Sequence, residues 1–188
     1  MGRKVPRSTP GQQSAGLVAP AALFALTAEA RNREAIDRAV PGDRTVVADG
    51  TYTVPSGGAL RVSGKNGTGD APISIVAESR GGVVLRGERG FVFGNSSHIT
   101  VSGFAFRQSS TLEIPANSSN IRLTRNDFRF ADVSGLDWVV VRGNDVKIDR
   151  NRFHDRTTEG IFVVLDGPDD KTVAQKLHLR WSSARQRL

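Results

Sequence analysis

Ile99-Thr-Val-Ser-Gly-Phe-Ala-Phe106, Ile121-Arg-Leu-Thr-Arg-Asn-Asp-Phe128 and Val146-Lys-Ile-Asp-Arg-Asn-Arg-Phe153 are one motif written three times, at offsets of 22 and 25 residues. In each copy apolar and polar residues alternate, a polar break follows, and a Phe closes the stretch. That pattern is a short strand, a turn and a second short strand. Recurrence at this length marks a solenoid, in which each repeat buries its apolar face against the next. Stacking the copies predicts one interior column of Phe106, Phe128 and Phe153. Ile99, Val101, Phe104 and Phe106 are expected to point inward. Thr100, Arg122 and Lys147 should stack on the outside of one strand column, and Ala105, Asp127 and Arg152 on another. The competing reading is a β-sandwich of irregular hairpins, but hairpins require no constant period.

Working outward, each repeat follows a polar corner: Asn95-Ser-Ser-His98, Asn117-Ser-Ser-Asn120 and Gly143-Asn-Asp145. Asn and Ser bond nearby backbone and tolerate turns, so stacked corners predict an Asn/Ser ladder. Upstream, Thr45–Ala48, Thr51–Val54, Leu60–Val62, Ile73–Ala77, Val83–Leu85 and Phe91–Phe93 read as further strands. The Gly-rich loop from Gly64 to Gly69 lacks a Gly-Lys-Ser/Thr ending and reads as a plain turn. A short helix is expected over Ala28–Val40, with Ala35, Ile36 and Ala39 on one face and Pro41-Gly42 stopping it. Such a helix covers the open apolar end of a solenoid.

The chain of 188 residues contains no Cys and carries a net charge of +7. It has no disulfide framework and no thiolate metal site. Much of the basicity lies in the two ends, and residues 31–168 hold 18 basic and 16 acidic groups. No helix-turn-helix, zinc-finger or RNA-binding pattern is present, so nucleic acid is not an expected partner. Residues 1–30 read as a secretory signal, with Arg3, Lys4 and Arg7 before an apolar stretch and Ala28-Glu-Ala30 as a small-x-small end. The alternative is a basic leader running into the first helix. The apolar stretch is too short to span a membrane.

Ala35-Ile-Asp-Arg-Ala-Val-Pro-Gly-Asp43, Ala48-Asp-Gly-Thr-Tyr-Thr53 and Ala71-Pro-Ile-Ser-Ile-Val-Ala77 resemble the opening of the alginate lyase and chondroitinase B family of polysaccharide lyases. Val101-Ser-Gly-Phe104, Asn151-Arg-Phe-His-Asp-Arg156 and Glu159-Gly160 continue the likeness, which covers about residues 30–168. The resemblance implies an all-β, right-handed parallel β-helix with a short N-terminal capping helix, in a secreted or periplasmic protein. It also implies β-elimination on an acidic polysaccharide. In that chemistry a Lys removes the C5 proton, an Arg helps protonate the leaving oxygen, and Ca²⁺ held by acidic side chains neutralises the uronate carboxylate. No position in this sequence matches those catalytic motifs, so none is transferred, and Ca²⁺ is expected in the intact family but not here.

Leu177-His-Leu-Arg180 starts like another repeat, but no Asn-x-Phe follows, and residues 169–188 read as an incomplete rung with a basic tail. The expectation is a lyase-like chain truncated before its catalytic rungs, monomeric and aggregation-prone at its open C-terminal end. A non-catalytic carbohydrate-binding β-helix is the alternative. Candidate substrate contacts are Arg122 and Lys147 as a basic stripe, together with Arg152, His154, Arg156 and Glu159 around the last turn. His154 beside carboxylates has the makings of a general base. Arg156 has the fork to grip a substrate carboxylate. Against each stands the plain reading of a solvated face with local pairs, such as Asp127 with Arg152.

Overall fold

The computed structural model describes residues 21–54, 60–167 and 177–180. After helix α1 (Ala21–Arg38) the chain winds through stacked three-strand rungs. The first rung is β1 (Arg44–Val47), β2 (Gly50–Val54) and β3 (Leu60–Ser63), and the second is β4 (Ile73–Ala77), β5 (Val83–Gly87) and β6 (Phe91–Gly94). The third is β7 (Ser97–Ser102), β8 (Ala105–Gln108) and β9 (Leu112–Ile114). The fourth is β10 (Ser119–Thr124), β11 (Asp127–Phe128) and β12 (Val139–Val141). The fifth is β13 (Val146–Asp149), β14 (Arg152–Phe153) and β15 (Val163–Leu165), and β16 (Leu177–Arg180) opens a sixth. Every third strand pairs in parallel. The first sheet runs β1-β4-β7-β10-β13-β16 and the second β2-β5-β8-β11-β14, while β3-β6 and β9-β12-β15 form the third face. This is a parallel β-helix.

The register follows from alternation. Ile73, Ile99 and Ile121 pair in one inward column, and Ile75, Val101, Leu123 and Ile148 in the next. All seven are buried, because a one-residue slip would turn both columns to solvent. In the second sheet Phe128 lies parallel to Phe106 at 4.8 Å and to Phe153 at 4.6 Å, which makes the expected column continuous. Thr100, Arg122 and Lys147 do share an outer row, and Ala105, Asp127 and Arg152 share a register row, but Ala105 is buried rather than exposed.

Two short corners set the path. Before the first sheet, Asn117 Oδ1 accepts from Asn95 N at 3.1 Å and Ser118 Oγ from Ser96 N at 3.3 Å. The ladder passes to the third corner through main-chain bonding, Asn120 N to Asn144 O. After the first sheet lies a second ladder that the sequence reading passed over as a polar break. Asn126 Oδ1 accepts from Phe104 N at 3.0 Å, and Asn151 Oδ1 from Asn126 N at 2.9 Å. Their amide nitrogens donate to Val101 O and Leu123 O of the rung before. Both side chains are buried and each satisfies backbone groups that the corner takes out of the sheet pairing.

Helix α1 begins earlier and ends sooner than expected. It runs unbroken through Ala28–Ala30. Ile36 and Ala39 are buried, but Ala35 is exposed, so the apolar face is narrower than the pattern suggested. The helix packs against the first rung, and Lys65 Nζ donates to the carbonyl of Asp37 near its C-terminus, a favourable place for a cation. Leu177–Arg180 pairs in register with Val146–Asp149, so these four residues are a proper strand. The expected signal segment up to residue 20, and the tail apart from this strand, lie outside the described residues. Among the described residues no helix is long and apolar enough to cross a membrane.

Candidate functional site

The outward residues of the first sheet form two rows. One reads Arg44, Ser74, Thr100, Arg122, Lys147 and the other Val46, Val76, Ser102, Thr124, Asp149. A groove of about 340 Å³ crosses these rows. Arg44, Arg80, Arg122 and Arg125 line it, and no acidic residue does. Its floor is small: Val76, Thr100, Ser102 and Thr124. Among the described residues Arg44, Arg80 and Arg125 form no ion pair. The groove therefore presents positive charge over a floor of hydroxyls and short aliphatic groups. Sequence reasoning found only Arg122 of the four. Arg44 reveals itself once β1 is in register with β4, and Arg80 and Arg125 sit in turns whose direction no alternation pattern encodes.

Arg122 is less free than a bare basic stripe suggests. Its Nε and Nη2 donate to the two carboxylate oxygens of Asp149 at 2.9 and 2.8 Å. Asp149 is nearly buried, with 4 % of its side chain exposed. These hydrogen bonds hold the Asp149 carboxyl below the usual carboxylate range, and its burial opposes them without prevailing. The Arg122 guanidinium is pushed further up in turn. Because the folded pKa of Asp149 is depressed, its ionised form adds stability above the unfolded value. That contribution is lost as pH falls below about 4 and through the folded value. Asp149→Asn is expected to cost about 1–2 kcal/mol at neutral pH. It should also flatten the pH dependence of stability below about pH 4, measured by urea unfolding across that range. Parallel profiles for the two proteins would refute this role.

The other predicted contacts lie elsewhere. Lys147 is exposed on the first sheet, one strand beyond Arg122. Arg152 and His154 belong to the outer face of the second sheet. Asp127 does not pair with Arg152 there. Arg107 Nη2 reaches it at 2.5 Å, and His154 Nε2 lies 3.0 Å from both its oxygens. Partial burial works against ionisation of Asp127, but the bonds from His154 and Arg107 outweigh it and its pKa falls. Asp155, 3.0 Å from His154 Nδ1, is lowered mainly by that imidazole. His154 thus sits between two carboxylates, its Nε2 bonded to Asp127 and its Nδ1 near Asp155, with 14 % of its side chain exposed.

Arg156 ties its own loop to the rung before. Its Nε donates to Thr158 O at 3.0 Å, Nη1 to Leu136 O at 2.6 Å and Nη2 to Glu159 O, while the guanidinium lies 5.7 Å from the Trp138 ring centre. It satisfies carbonyls of the loop that carries the exposed Glu159. The six predicted residues are therefore spread over three regions. Only Arg122 lines the groove, and Lys147 is its neighbour.

The model of the chondroitinase B family matches residues 27–175. This chain belongs to the chondroitinase B family. No curated protein sequence matches it significantly. Among solved structures, a polysaccharide lyase family 6 alginate lyase called AlyGC superimposes with a TM-score of 0.62 at 22% identity, over 73% of this chain and 20% of that one. A mannuronic acid specific family 6 lyase from human gut microbiota gives 0.60 at 18%, over 75% and 35%. A family 6 polysaccharide lyase from Pseudopedobacter saltans gives 0.57 at 20%, over 73% and 33%. At these identities the likeness establishes the shared β-helix. The chain spans about a fifth to a third of the length of these structural relatives. In this family member, no cluster of three or more His, Asp or Glu suited to a metal ion occurs among the described residues. The calcium that the resemblance implies therefore has no acidic cluster to hold it among these residues.

Proposed function

We propose that this chain supplies polymer-binding rungs of a polysaccharide lyase that acts outside the cytoplasm on uronate polysaccharides such as alginate, by β-elimination. The observation that carries the reading is the groove of four arginines, without an acidic lining residue, over a floor of hydroxyls. Guanidinium groups match carboxylates as planar forks, and Ser and Thr hydroxyls exchange hydrogen bonds with sugar hydroxyls. The lining holds no aromatic ring on which a nucleobase would stack, which favours a sugar acid over a nucleic acid. The eliminating Lys, the Arg and the calcium ligands implied by the resemblance match no position in this sequence. The share of these rungs in the reaction is accordingly to hold and orient the polymer, and to offset its carboxylate charge.

A non-catalytic carbohydrate-binding β-helix is the second reading, favoured by the lack of a metal-binding cluster among the described residues. Both readings predict that the chain binds alginate, that added salt weakens binding, and that neutral dextran of equal length does not bind. Calorimetric titration checks this, and equal affinity for dextran would refute both. Incubation of alginate with the chain and Ca²⁺, followed by ultraviolet absorbance of unsaturated sugar ends, is expected to show none. Robust turnover would overturn the view that these rungs only bind.

A further inference from the structure

At one corner the third rung has glycine and the fourth and fifth rungs have arginine. Ser102, Thr124 and Asp149 pair in register, so the residues that follow them, Gly103, Arg125 and Arg150, stack at one corner. All three have left-handed backbone, with φ of 87°, 55° and 58°. Glycine adopts it freely, whereas a Cβ makes it costly. Successive strands lie about 4.8 Å apart, so Arg125 and Arg150 also place like charges on neighbouring rungs. Among the described residues little offsets the repulsion between them. Among the described residues Arg125 has no ion pair, and Arg150 Nε is 3.8 Å from an Asp149 oxygen already bound by Arg122. Both arginines are exposed. Left-handed backbone recurs at other corners, so the observation that points to a ligand is the charge: two exposed arginines in register on adjacent rungs, one of them lining the groove.

We propose that Arg125 and Arg150 form a corner ladder that extends the groove along the helix axis and grips the acidic units of a polymer rung by rung. The inference rests on the reading that the groove holds a polyuronate. A polymer with one carboxylate per sugar carries negative charge along its length, and the ladder repeats positive charge along the axis. Arg44 and Arg122 share a row three strand spacings apart, about 14 Å, and the ladder reaches one rung beyond Arg122. Each guanidinium presents a two-pronged donor to a passing carboxylate.

The test uses R125G, R150G and the double variant of the full chain, titrated calorimetrically with alginate oligomers and melted in parallel. Glycine suits this backbone, so melting temperatures are expected to hold or rise. The double variant should bind alginate at least tenfold more weakly. Weaker binding accompanied by a lower melting temperature would assign the arginines a structural role and overturn the proposal. Unchanged affinity of R150G, in a chain that binds alginate and is weakened by R125G, would overturn the ladder and leave the groove reading standing, because Arg150 does not line the groove. Failure of the unmodified chain to bind alginate would remove both. Single-stranded DNA bound as tightly as alginate, and lost in the same variants, would overturn the assignment to sugar acids.

Discussion

Phe128→Ala is expected to remove about 3–5 kcal/mol of stability. Phe128 is fully buried in the fourth rung, with parallel rings on both sides at 4.8 and 4.6 Å. Those neighbours are held by their own rungs, which the sheet pairing keeps one strand spacing apart, so they cannot close over the gap. In a solenoid each rung is stabilised mainly by its neighbours, and a void in the fourth weakens its contacts with the third and the fifth. Phe128→Leu keeps much of the apolar surface and should cost less than half as much, roughly 1–2 kcal/mol. Urea unfolding followed by circular dichroism measures both. A loss below about 1 kcal/mol for the alanine variant would mean that the column relaxes into the space.

A loss of similar size, about 3–5 kcal/mol, is expected from Asn126→Ala, by a different route. The side chain accepts from Phe104 N and donates to Val101 O, both inside the fold. Alanine strands a backbone donor and a backbone acceptor where water does not reach, at about 1–3 kcal/mol each. Asn126→Asp should not rescue stability. It keeps the acceptor for Phe104 N but loses the donor to Val101 O and buries a charge. Amide hydrogen exchange at Phe104 should accelerate in the alanine variant. Unchanged exchange there, with unchanged stability, would show that the corner finds other partners.

These two positions show how far the residues alone speak. The Phe column was legible because recurrence at offsets of 22 and 25 residues, combined with alternation, leaves one register that buries all three rings. The Asn ladder was not legible as a buried feature. Asn reads as a surface turn residue, and only the corner geometry turns it inward to serve backbone groups. The same limit applies to charge. Arg122 and Lys147 were correctly placed in one outer row, but the bond from Arg122 to Asp149 depends on side chains reaching across strands. Asp127 meets His154 and Arg107 rather than its register neighbour Arg152 for the same reason. Arg156 resembled a substrate-gripping residue, yet its own loop supplies two carbonyls, and the rung before supplies the Leu136 carbonyl and the Trp138 ring.

The residue pattern was sufficient for the solenoid, its rung length and its inward columns, because period and alternation are properties of the chain read in one dimension. The groove was decided in three dimensions. Arg44, Arg80 and Arg125 are separated by 36 and 45 residues. They meet because parallel winding returns each rung to the same face one strand spacing further along. That winding sets distant turns side by side, and which charges remain unpaired there is settled by side-chain reach.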